Sequence, residues 1–174
     1  MVRYVHAANR DFNAHGCLMT VMVDGASVRA VTQGILVETT AAVPASGASA
    51  DLFTVDTGSV LLVGFWGDVE SVLPADTDLS VHFEPDDGGS NTDLATTLVA
   101  DIDVTGSIYT LNPTAGGALV VGIDVAFNAI LEDPIVLTLG DILLTSAGGG
   151  TGGGSIHWYA IYAPLDADAT MAAS

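Results

Sequence analysis

The chain has 174 residues, a single cysteine and a formal net charge of −18, with 49% apolar and 14% charged residues. That length suits one domain able to bury roughly 70% of its extended surface, and so many apolar side chains exclude a disordered acidic tail. Cys17, being alone, excludes an intrachain disulfide and a cysteine zinc site within one chain, and the lack of lysine excludes a P-loop, a Schiff base and a lysine-activated serine.

Residues 1–16 are polar and aromatic without a period and predict an extended N-terminal arm; residues 17–174 read as one domain. No apolar run followed by a cleavage site marks the arm as a signal peptide, and no stretch reaches the roughly 20 apolar residues of a helical membrane span. Charge divides the chain further on, after residue 29. Arg3, Arg10 and Arg29 are the only basic side chains, and residues 30–174 hold 19 Asp and Glu against none. Such a body is repelled by a phosphate backbone, so no nucleic-acid partner is expected. Its self-repulsion falls as salt rises, which suits a salty exterior.

Beyond the arm, period-two patterns and short runs of Val, Ile, Leu, Thr and Tyr predict strands at 18–23, 27–31, 34–39, 51–55, 59–66, 78–83, 96–102, 107–111, 118–125, 135–139, 141–145 and 155–162. Asp24-Gly25 between the first two is a hairpin turn signal, because both residues tolerate positive φ. Gly34, Gly64 and Gly122, inside apolar stretches, mark bulges or bends. Residues 41–50 read as a small-residue linker, and 147–154, with six glycines in eight residues, as a mobile loop. The fold class is all-β, a single jelly-roll-like β-sandwich domain behind the arm.

Chemical motifs are sparse. His6, His15, His82 and His157 form no metal-binding spacing. Ser155 and His157 point the same way on one strand, with no orienting acid beside them in sequence. The acidic stretch 84–93 has the oxygens for Ca²⁺ but not the order of a calcium loop, and reads as a solvated turn. No cofactor and no metal are expected. Trp66, Trp158, Tyr159 and Tyr162 lie in the two most apolar strands, and the alternation of Trp158 and Ala160 with Tyr159 and Ile161 argues against a sugar platform on one face. Core or subunit-interface packing is the reading for these rings, with Arg29, Trp66, Trp158 and Tyr162 as the interface set. Tyr4 and Phe12 belong to a partner contact instead, since an aromatic outside the core has nothing else to bury against.

Three stretches carry a family resemblance. They are Thr57-Gly58-x-Val60-x-x-Val63-Gly64-x-x-Gly67-x-Val69-Glu70 with Asp76-Thr77-Asp78-Leu79; Asp93-Leu94-Ala95-Thr96 with Asp101-Ile102 and Gly106-Ser107-Ile108-Tyr109; and Gly154-Ser155-Ile156-x-Trp158-x-x-x-Tyr162-x-Pro164-Leu165 with Ala169, Met171 and Ala172. Together they resemble small virion proteins of tailed bacteriophages, of the head decoration or cement type. The resemblance implies a non-enzymatic protein on the outer surface of the capsid, bound to the major capsid protein and to itself as a homotrimer. Capsid docking is then expected of the arm, with Arg3 and Arg10 meeting carboxylates and Tyr4 and Phe12 filling apolar pockets. A tail or head-fibre component, a secreted carbohydrate-binding module and a hydrolase are the rival readings.

Overall fold

The computed structural model describes residues 18–23 and 26–31 as backbone and 34–100, 102–126 and 129–174 with their side chains. The chain divides into two compact units, Met1–Ile35 and Leu36–Ser174. In the first, strands β1 (Leu18–Val23) and β2 (Ala26–Val31) pair antiparallel with Val23 opposite Ala26; the predicted turn residues Asp24 and Gly25 lie outside the described residues.

The second unit holds β3 (Ile35–Ala42, from the boundary onward), β4 (Ser49–Thr57), β5 (Val60–Ser71), β6 (Thr77–Pro85), β7 (Thr92–Val99), β8 (Ser107–Thr110), β9 (Val120–Ile123), β10 (Ile130–Leu137), β11 (Gly140–Gly148), β12 (Ser155–Pro164) and β13 (Thr170–Ala173). Two antiparallel sheets result, one in the order β3-β12-β5-β8-β9 with β10 also on β5, the other β13-β4-β11-β6-β7. The protein is all-β, and the two sheets form a sandwich. Each of the twelve predicted strands has a counterpart; β13 is an addition. Its Thr-Met-Ala-Ala sequence has little β propensity of its own, and it forms because β4 offers an edge and because Met171 is buried.

Alternation builds the core. On β12, Ile156, Trp158, Ala160 and Tyr162 point inward while the residues between them are half-exposed. Opposite them on β5 stand Val69, Gly67, Phe65 and Leu62. The pairing slips where Ile161 meets Gly64 and Tyr162 meets Leu62, so Val63 is an extra residue and the inward set of β5 changes parity at that bulge. Phe53 of β4 meets Phe65 edge to face at 6.3 Å, which joins the two sheets, and Phe65 meets Trp158 at 5.2 Å. Tyr109 completes the group, stacked 6.4 Å from Trp158 with its hydroxyl donating to Asp103 at 2.5 Å. Burial, and then the Asp103 bond, push that phenol far above its ordinary range.

The glycine-rich connection differs from the expected mobile loop. Gly149 and Gly150 both donate to the Asp76 carbonyl, Gly153 donates to Val43, and Ser46 donates to Gly150. Gly152, Gly153 and Gly154 all take positive φ, and a Cβ on Gly152 would stand 2.8 Å from the Ala45 nitrogen. Glycine here serves close backbone approach and a left-handed path rather than looseness. The turn after β3 packs against it, so residues 43–48 are tied down as well.

Candidate functional site

One group of chemistry-bearing side chains gathers on the outer face of the strands β3, β12 and β5. Because residues directly opposite on an antiparallel pair share a face, the register Tyr159↔Trp66 and His157↔Asp68 puts all four on that surface. The Tyr159 ring stacks on Trp66, with centroids 4.9 Å apart and 12° between planes, and on His157, at 4.5 Å and 6°. Three near-parallel rings thus form one group.

Carboxylates surround it. His157 Nδ1 lies 3.3 Å from Glu70 Oε1, and its Nε2 lies 3.6 Å from Glu38 Oε2, beyond hydrogen-bond length, so the second contact is an ion pair only when the ring is protonated. Glu38 and Glu70 keep 59% and 45% of their side-chain surface, enough to meet a partner, whereas His157 keeps 25%. Tyr159 senses the whole group: its phenol is pushed above the ordinary value by burial first, then by the charges of Glu38, Asp68 and Glu70. No Lys or Arg occurs in residues 30–174, so this potential has no compensating cation in the body of the chain. Across β5 from Trp66, on β8, Thr110 is 1% exposed and its Oγ1 has no hydrogen-bond partner among the described residues. The face therefore offers stacking surface and hydrogen-bond acceptors in a negative field.

No family model matches this chain, and no curated protein does. Among solved structures, a chain in a structure of infectious bursal disease virus, Gx strain, is similar, with a TM-score of 0.26 and 10% identity. The match covers 90% of this chain and spans 43% of that one. Similarity at that level bears on neither the details of the fold nor the function.

The residues expected at sites separate under this geometry. Arg3, Tyr4, Arg10 and Phe12 lie outside the described residues; Arg29 stands opposite Thr20 in the β1–β2 pair, its side chain likewise outside them. Trp66 is half-exposed on the outer face. Trp158 and Tyr162 correct the expected interface set, being 0% and 4% exposed inside the sandwich, where a side chain has nothing left to present to a second subunit. Tyr159, left out of that set, is the ring that shares a surface with Trp66. Contrary to the expectation from alternation along β12 alone, aromatics do share one face, because Trp66 of β5 and Tyr159 of β12 make it together.

Other constellations do not assemble. His82 and His157 lie on the outer faces of opposite sheets, His82 Nδ1 beside Thr145 Oγ1 at 3.2 Å. Ser155 Oγ is paired with Ser71 Oγ at 2.9 Å rather than with His157. In the acidic stretch, Asp87 Oδ1 accepts from the Gly89 N–H at 2.8 Å, as in an Asx turn. Among the described residues no three His, Cys, Asp or Glu side chains form a metal-like group, and no helix is long and apolar enough to cross a membrane.

Proposed function

We propose that this chain is a structural virion protein of a tailed bacteriophage, which decorates and cements the outer surface of the capsid as a symmetric homotrimer bound to the major capsid protein. It works without turnover, by stapling lattice subunits together. Several copies about a symmetry axis engage several capsid subunits at once, so contacts that are weak alone gain through high effective concentration.

The observation that carries this reading is the way the resembling stretches use their residues. Two of the three are paired with each other along β5 and β12. Gly67 receives the Trp158 indole, Gly64 sits at the bulge, and Ala169 and Met171 are buried beside β4. These residues make one packed unit, as expected of a protein whose task is to be a stable solid. The charge division supports the same reading: an acidic body suits the medium and avoids packaged DNA, and the arginines of the leading segment suit a protein partner.

Arg3, Tyr4, Arg10 and Phe12 are the proposed capsid contacts. Removing residues 1–16 is expected to leave a folded, soluble oligomer that no longer sediments with undecorated capsids; retained sedimentation would defeat the assignment. Copy number in purified virions separates this reading from a tail or head-fibre role, since decoration requires hundreds of copies and a fibre only a handful.

A further inference from the structure

We propose that the outer face of β3, β12 and β5 is a docking surface for a basic segment of another protein, whose arginine side chains pack on the free faces of the Trp66–Tyr159–His157 ring group and pair with the carboxylates of Glu38, Asp68 and Glu70. This holds whether or not the chain is a virion component.

Charge complementarity selects the occupant. Three carboxylates stand around one ring group, and residues 30–174 supply no Lys or Arg to neutralise them. A neutral sugar gains stacking from the rings but nothing from the uncompensated charge; a cation gains from both. Arginine is favoured over lysine because its flat guanidinium stacks on an aromatic face while its N–H groups bond carboxylates in pairs, whereas an ammonium is a strongly hydrated point charge. A second copy's sandwich is a poor occupant, since its body is as acidic as the face it would meet.

Binding of octa-arginine, octa-lysine and a neutral dextran oligosaccharide to the full chain, followed by calorimetry at moderate salt, tests this. The variant Glu38→Gln/Asp68→Asn/Glu70→Gln is compared with a variant of equal charge change at the exposed end of β6 and the turn after it, Glu84→Gln/Asp86→Asn/Asp87→Asn, both being surface changes checked for unaltered circular dichroism. Octa-arginine is expected to bind more tightly than octa-lysine, to lose about tenfold or more in affinity in the first variant, and to lose less than about twofold in the second. Trp66→Ala should weaken octa-arginine more than octa-lysine. Equal loss in both triple variants, equal binding of the two peptides, or saccharide binding that the first variant abolishes would overturn the proposal. So would a change in sedimentation coefficient of the first variant, which would make the occupant the arginine-bearing segment of a second copy.

Discussion

Gly67 lies directly beneath the indole of Trp158: a Cβ at residue 67 would stand 2.7 Å from Cε3 and 2.8 Å from Cζ3, with Ile156 Cγ2 also at 2.8 Å. The two residues are register partners on β5 and β12, so the largest side chain of the core occupies the space that the smallest residue leaves. Ring atoms held between sheets cannot move aside as the end of a flexible side chain can. Gly67→Ala should therefore cost about 1–3 kcal/mol through overpacking, seen as a fall in Tm of roughly 2–4 °C per kcal/mol for a chain of this size.

Tyr109 is expected to make stability fall at alkaline pH. Its hydroxyl is buried and bonded to Asp103, which keeps the phenol protonated in the folded protein above its ordinary pKa of about 10. Above that pH the unfolded chain releases a proton that the folded chain retains, so the unfolded state binds fewer protons and stability falls as pH rises. Tm measured between about pH 9 and 11.5 should drop in the wild type, and drop less steeply in Tyr109→Phe, whose neutral-pH stability is lower by about 1 kcal/mol for the lost hydrogen bond.

The last strand is more than a tail. Met171 is 3% exposed against β4, and the Thr170 and Thr57 hydroxyls lie 3.0 Å apart. Met171→Ala should destabilise by about 2–5 kcal/mol, measured by urea unfolding with an unchanged m-value. Deleting residues 169–174 should cost more, because it also uncovers the backbone edge of β4.

Salt should stabilise the protein. With a formal charge of −18, self-repulsion is screened as the Debye length shrinks from about 10 Å at 0.1 M to about 3 Å at 1 M. Tm is expected to rise between roughly 0.05 and 0.5 M NaCl. A flat or falling Tm would mean that the acidic groups contribute no net repulsion in the fold.

Much of the fold was legible because a strand announces itself locally. Alternation around Val60, Leu79 and Trp158 requires only neighbouring residues to read. The surface site was not legible for the opposite reason. Period two states which residues of one strand share a face, and it cannot state that Trp66 lies opposite Tyr159, some ninety residues later in the chain. A partial signal was present: Trp66, Asp68 and Glu70 share one parity, and His157 and Tyr159 share another, each set out of phase with its apolar neighbours. β13 has no local signal because its formation depends on what it covers, and an aromatic strand such as that of Trp158 reads alike whether a sheet or a subunit lies above it.

The extra residue in β5 has a larger effect than its size suggests. Val63 shifts the reading frame of the sheet halfway along one strand, so that Phe65, Gly67 and Val69 take over the interior while Trp66, Asp68 and Glu70 are turned to the outside. Deleting that one residue would exchange the two sets, sending a tryptophan and two acids into the core and a phenylalanine and a valine to the surface. The boundary between packing and recognition in this molecule is thus set by a single insertion in a ladder, a change that evolution could make or undo in one step.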